Sequence, residues 1–399
     1  MTQFNEAPIF DADQHMYETP EALTKYLPER FRKAVQFVQV GKRTRIAIMG
    51  QITEYIPNPT FERGAAPGAH EKFYAAQNTE GLTMREMTGI PIEAPAATRN
   101  PADRIKELDR QGVREALVYP TLANLVEHSA AENPELTMAI IHALNEWMLE
   151  AWNFTYADRL FMTPVINCAE VDNARRELEY VLENGAKVAL IKPAPVKGFR
   201  GWRSPALPEF DPFWELVSEA GIPVGMHASD SGYQRYINEW EGVSDGEMLP
   251  FKGVSGFQTI VGHQSRPITD TVASLIGHGL CTRFPDLAFA PVENGSNWVR
   301  PLLRDLEHAY ATSPHSFEED PVEVFKRNIY VHPFHEEDPI GLVGLLGPDR
   351  VLFGSDFPHP EGMADPISFV DELSSLPHDV VAKIMGGNLG RIMKIEEAA

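Results

Sequence analysis

Asp13 and His15 stand two residues apart in the stretch FDADQH. In an extended chain that spacing turns both side chains to one side. Two more groups of the same chemistry close other apolar runs: His227 ends GIPVGMH and Asp356 ends RVLFGSD. Two imidazoles with two carboxylates form a ligand set for a divalent cation, and such mixed nitrogen and oxygen donors suit zinc or manganese. Only two cysteines, Cys168 and Cys281, are present, which excludes a thiolate-rich zinc site and a disulfide framework and points to a reducing compartment. Taken singly, His227 reads as a buried structural histidine, and Asp13 and Asp356 as caps of the loops that follow them. Their combination decides for a metal.

Eight apolar runs can carry these groups: 8 to 13, 115 to 120, 160 to 166, 187 to 192, 222 to 227, 287 to 293, 328 to 332 and 350 to 356. Helical patterns fall between and after them, at 101 to 111, 135 to 158, 170 to 184, 211 to 220, 267 to 280, 297 to 310, 337 to 346 and 365 to 374. Eight strands each followed by a helix predict an α/β protein of the (β/α)8 TIM-barrel type, read as one domain over residues 1 to 399. The alternation breaks once, in a Pro-, Gly- and Ala-rich insertion at about 29 to 100 that holds a hairpin candidate, VQFVQVGKRTRIAI. Such an insertion after the first strand is expected over the barrel mouth. The active site of this fold lies at the C-terminal strand ends. There the fourth run ends in Lys192, the sixth in Glu293 and the seventh in His332, with His335 beyond it; His359 follows Asp356 by three residues. His263 precedes a helix. Arg203, after the fourth run, is a candidate for pairing with a substrate carboxylate, against the alternative of a solvated surface arginine.

Four stretches resemble the amidohydrolase superfamily: FDADQHMYE, GIPVGMHAS, HGLCTRFPDLAFAPVENGSNWV and RVLFGSDFPHPEG. The similarity is to the amidohydrolase-related branch that includes aminocarboxymuconate-semialdehyde decarboxylase and aromatic-acid decarboxylases. The resemblance implies a barrel with one metal ion, held at the positions of Asp13, His15, His227 and Asp356. Two departures stand out. Asp13 occupies a place that is commonly His, and an anionic ligand favours a harder ion, so manganese stands beside zinc. Glu293 falls where the family often has a histidine, which leaves two roles open: a proton shuttle or a further ligand. Strand 4 lysines are carboxylated bridging ligands in other amidohydrolases; for Lys192 an anion-binding or structural role fits a mononuclear site better. His332 and His359 are read as contacts near the substrate or around the ligands.

The expected chemistry is hydrolysis of a C–N, C–O or C–C bond of a small carboxylate or aromatic substrate, through a water activated by the metal, with Asp356 carrying the proton. The alternative is non-oxidative decarboxylation of an aromatic or unsaturated acid. A third reading, of another kind, is a barrel that has lost catalysis and binds a ligand. Tyr17, Tyr55, Phe61, Phe73, Trp202 and Trp298 are pocket or packing aromatics. With 57 acidic against 35 basic residues, a net charge of -22 and no Lys/Arg cluster, nucleic acid and anionic membranes are excluded as partners. No apolar run reaches membrane-spanning length and the N-terminus is polar, so a cytoplasmic protein is expected. A homodimer is expected by analogy with similar barrels. No GxSxG nucleophile elbow, GxxxxGK phosphate loop or GxGxxG fingerprint occurs.

Overall fold

Asn100 and Asn133 each start a helix in the same way. Their side chains accept the backbone N–H three residues on (both 3.1 Å), and each is followed by a proline that needs no partner in the first turn. The resulting helices, Pro101–Gln111 and Pro134–Trp152, bury Leu108 on one side and Leu144 and Met148 on the other. Gly112 and Gly221 close the helices Pro101–Gln111 and Asp211–Ala220 in the left-handed conformation. The structure, a computed structural model, describes residues 7–53, 55–242, 255–261 and 265–395. His263 lies outside the described residues.

The protein is mixed α/β. Six strands form its centre: β1 (Phe10–Met16), β2 (Glu115–Pro120), β3 (Leu160–Met162), β4 (Ala189–Leu190), β5 (Val224–His227) and β6 (Phe289–Val292). β1 pairs in parallel with β2, and β2 with β3; β4 pairs in parallel with β5, and β5 with β6. Single parallel bridges continue the series: Val165 with Leu190, Phe289 with Ile329, Val331 with Val351, and Phe357 with Gln14. Val118, Met162, Val224 and Phe289 of the strands, with Val331 and Phe353 beyond them, are buried in one apolar cluster with Leu144, Leu178, Val217, Val272 and Leu302 of the helices. Each such side chain contributes about 1.5–3 kcal/mol by leaving water. Among the described residues no helix is long and apolar enough to cross a membrane.

Helix boundaries differ most from the periodicity in two places. The pattern predicts a helix from 135 to 158, but it stops at Trp152. Asn153 turns left-handed (φ 56°), and Thr155–Tyr156 then pairs antiparallel with β3. The helix expected at 365 to 374 shrinks to Phe369–Glu372, because Pro366 opens a single 3-10 turn before it.

Within residues 29 to 100 the hairpin candidate forms: Val35–Val40 pairs antiparallel with Arg43–Ile48, and Gln51–Thr53 adds a third strand. This region bonds directly to the chain just after Asp356. The N–H of Gly68 donates to the His359 carbonyl (3.3 Å) and that of His70 to the Pro360 carbonyl (2.7 Å). Gly68 is required there. Its backbone is left-handed (φ 72°), and a Cβ would fall 2.6 Å from the Ala364 nitrogen.

Candidate metal centre

Strand register delivers the site. His15 lies level with Tyr119 of β2, and His227 with Val292 of β6, so each imidazole emerges at the C-terminal end of a parallel pair. Glu293, just after β6, and Asp356, just before the bridge at Phe357, have left-handed backbones (φ 52° and 56°), conformations that cost a residue other than glycine about 1–3 kcal/mol and gather at functional sites. The β1 to β2 register breaks between Asp11 and Gln14. At that break Asp11 turns to a fastening role: its carboxylate accepts the N–H of Asp13 (3.0 Å), the N–H of Ser355 (2.9 Å) and the Ser355 hydroxyl (2.6 Å). One side chain thus ties the strand bearing Asp13 to the turn bearing Asp356. Burial pushes its pKa up to about 6, against these hydrogen bonds.

The functional groups converge. His15 Nε2 lies 3.4 Å from Asp13 Oδ1, from Glu293 Oε2 and from Asp356 Oδ1. His227 Nε2 lies 3.1 Å from His15 Nε2, 2.9 Å from Glu293 Oε2 and 3.6 Å from Asp13 Oδ1. Two overlapping groups of donor atoms, each within 4.8 Å of one another, have the makings of a cation site: Asp13, His15, His227 and Glu293; and His15, Glu293, Asp356 and His359.

Two observations test whether the residues suit a metal ion. Both carboxylate oxygens of Asp13, fully buried, have no hydrogen-bond partner, a cost of several kcal/mol that a bound cation removes. The imidazoles are also preset as ligands. His227 Nδ1 lies 2.8 Å from the Ala228 carbonyl and must donate to it, which leaves Nε2 as the lone pair facing the centre. The Thr121 hydroxyl donates to the Met16 carbonyl (2.9 Å), so at 3.3 Å from His15 Nδ1 its oxygen accepts, and again Nε2 faces inward. The residues fit a divalent ion.

Electrostatics agree. Burial opposes the charge of Asp13, but His15 and His227 outweigh it and hold the carboxyl well below its ordinary value. Burial likewise works against Glu293, yet His227 and His15 hold it at about 2. His227 is pushed up to about 10 by Glu293 and Asp13, against its burial. Asp356 goes the other way: burial first, then the charges of Glu293 and Asp13, raise it well above the carboxylate range. Without a cation, protons on the imidazoles and on Asp356 take up the charge of three packed carboxylates.

The other sequence candidates divide. His359 Nδ1 donates to Asp356 Oδ1 (2.7 Å); its ring lies 4.0 Å from that of His15, and burial with the nearby His15 charge lowers its pKa to about 3. A column of rings continues outward through Tyr17 to Phe61, which stacks on Tyr17 at 4.5 Å. His332 is buried between elements: its Nε2 donates to the Gly354 carbonyl (3.1 Å) and its Nδ1 accepts the Glu293 N–H (3.4 Å). Burial lowers its pKa, in keeping with a neutral ring. Lys192 is buried at 5% exposure just after β4, the strand beside that of His227; burial lowers its pKa against the charges of Glu127 and Asp230. Arg203 sits in the hairpin Val196–Gly198 and Gly201–Arg203, where it pairs with Glu209 at 3.4 Å. Trp298 is core packing, and Phe73 and Trp202 are exposed. Asp11 and Thr121 escaped the sequence reading. Asp11 was within reach, since it precedes Asp13 at the same spacing of two; Thr121 carries no signal until the fold places it beside His15.

Thr121→Val keeps the volume but leaves the His15 Nδ1–H buried without an acceptor, a loss of about 1–3 kcal/mol. Divalent-metal affinity should fall about 10–100-fold, read by chelator competition. An unchanged affinity would show that the hydroxyl does not orient His15.

A parallel-stranded α/β protein with a preset imidazole and carboxylate cluster at its strand ends defines a class in which the site is built for a cation. The chain belongs to the amidohydrolase family, whose model matches residues 12–392. It is 35% identical to the amidohydrolase map2389c of Mycobacterium avium subsp. paratuberculosis K-10, with a TM-score of 0.89 over 97% of this chain and 99% of that one. More distant likenesses include 5-carboxyvanillate decarboxylase LigW of Sphingomonas paucimobilis (17% identity, TM-score 0.59, 98% and 100% covered). Another is a dihydroxybenzoic acid decarboxylase of Polaromonas sp. JS666 with bound manganese and 2-nitroresorcinol (17%, 0.56, 84% and 96%). At 17% identity these two likenesses speak for the fold.

Proposed function

We propose that the chain is a metal-dependent hydrolase of a small, neutral ester- or amide-like substrate. In this reading the parallel pairings form a (β/α)8 barrel in one domain, with residues 29 to 100 lying over its mouth. One divalent ion, zinc or manganese, is held by Asp13, His15, His227 and Asp356. One observation carries the choice of reaction: among the described residues, every ion pair of the cluster joins an imidazole to a carboxylate, and none brings in Lys or Arg. A substrate carboxylate brought against the ion itself would meet the like charge of this cluster.

Bound there, a divalent ion supplies Lewis acidity that makes water acidic and polarises a carbonyl. The chain's own residues do the rest. Asp356, made more basic by burial beside Glu293 and Asp13, takes the proton of the attacking water and returns it to the leaving group. His359 holds Asp356 Oδ1, which leaves Oδ2 for that proton. The stacked rings of Tyr17 and Phe61, in line with His359, shield the centre from bulk solvent.

Decarboxylation is the second reading. Lys192 favours it, because this buried side chain follows the strand next to that of His227, where a substrate carboxylate held away from the ion would meet it. The two readings separate on one panel given to manganese- or zinc-loaded protein: aryl esters and anilides for hydrolysis, hydroxybenzoates for carbon dioxide release. Ester or anilide turnover above the metal-stripped control is expected. Carbon dioxide release without ester or anilide turnover would replace hydrolysis by the second reading.

A further inference from the structure

We propose that Glu293 is a direct ligand of the metal ion, the fifth protein donor of the centre, and not the proton carrier of the reaction. The proposal rests on the metal reading above and extends it to the choice of ion and substrate.

Glu293 belongs to both donor groups, with Oε2 at 2.9 Å from His227 Nε2 and 3.4 Å from His15 Nε2. A single imidazole nitrogen ligates one ion, so two groups that share His15 Nε2 describe one centre and not two. His359 drops out of the donor count because its Nδ1 is committed to Asp356 and its Nε2 faces the Thr121 hydroxyl at 3.5 Å. Five side chains remain: Asp13, His15, His227, Glu293 and Asp356. The Glu293 carboxylate is also held from behind. Its backbone is left-handed, and its N–H donates to His332, which is itself anchored to the Gly354 carbonyl. A proton carrier has to face the reacting atoms, whereas this oxygen faces the two ligand nitrogens.

Two nitrogen and three oxygen donors exceed the four ligands of a tetrahedral zinc site and suit an ion of higher coordination number with a preference for oxygen, of the manganese kind. Three carboxylates around a dication leave one net negative charge. The loaded centre therefore admits a neutral carbonyl and repels a carboxylate. Any acidic group of the substrate has to lie away from the ion.

The test uses Mn(II) alone as the probe, on full-length protein stripped with a chelator. Affinity is measured by chelator competition, and the ion's surroundings by electron paramagnetic resonance. Losing a partner of a ligand costs about 10–100-fold in affinity, so Glu293→Gln, which removes a ligand, should cost at least about 100-fold. Its Mn(II) spectrum should change, and the rise in melting temperature on adding Mn(II) should shrink. Glu293→Asp keeps the charge and retracts it, which serves if the Gln variant does not fold; weaker binding with an altered spectrum is expected. A variant that folds and binds Mn(II) as tightly as wild type, with the same spectrum, overturns the proposal alone. A wild-type protein that takes up neither Mn(II) nor Zn(II) overturns the metal reading and this proposal together.

Discussion

Asp13→Asn should abolish metal uptake and, with it, the proposed hydrolytic activity. Asp13 is the one side chain of the centre with both oxygens buried and without a hydrogen-bond partner, and a bound cation would supply a partner to both oxygens. The amide has nearly the same shape but brings one weaker acceptor and two donors that would point at His15 and His227. A loss of more than about 100-fold in manganese or zinc affinity is expected, beyond that of a ligand's supporting partner. The same change shows in stability. An ion present at about 100 times its Kd stabilises the wild type by about 2.7 kcal/mol, and that gain should vanish in the variant. The wild-type gain also depends on pH in a defined direction. The ion displaces a proton from His227, whose pKa stands at about 10 in the metal-free cluster, so affinity should climb as pH rises through the neutral range. Retention of wild-type affinity by Asp13→Asn would mean that the ion, if any, sits elsewhere.

What sequence alone could show of this site follows from where the groups are attached. Asp13, His15 and His227 lie on strands, Glu293 directly after β6, and Asp356 between the parallel bridges at Val351 and Phe357, so alternation and length bring them to one end of the parallel pairings without any knowledge of loops. The helix Pro101–Gln111 was equally legible, because Asn100, Pro101 and Gly112 mark its ends with local chemistry. Legibility fails where a contact joins distant loops. The Tyr17–Phe61 stack depends on how residues 29 to 100 fold back, and no periodicity encodes that. Thr121 acts by a hydroxyl direction that only the Met16 carbonyl sets. The arrest at Asn153 was missed for a related reason: the apolar pattern runs on past it, while the backbone turns to make a strand pair with β3.

Arg104→Met should destabilise the fold by about 3–5 kcal/mol, read as a lower urea midpoint and melting temperature. The guanidinium is fully buried and directs its nitrogens in three directions: to the Ala97 carbonyl (2.8 Å), to Gln14 Oε1 (3.0 Å) and to the His15 carbonyl (2.5 Å). Methionine fills much of the volume but leaves three buried acceptors without donors, and each costs about 1–3 kcal/mol. Arg104→Lys should recover little. Burial lowers the arginine's pKa only to about 10, so charge itself survives, but a lysine's compact ammonium cannot span three acceptors placed around a planar fork. The loss should reach the metal centre as well, because the carbonyl released is that of His15. Weaker metal binding in Arg104→Met at a temperature where the variant is still folded would show that the helix Pro101–Gln111 positions the ligand strand from behind. If the variant is destabilised and binds metal as the wild type does, Arg104 serves the fold and the ligands are positioned by Asp11 and Thr121 without it.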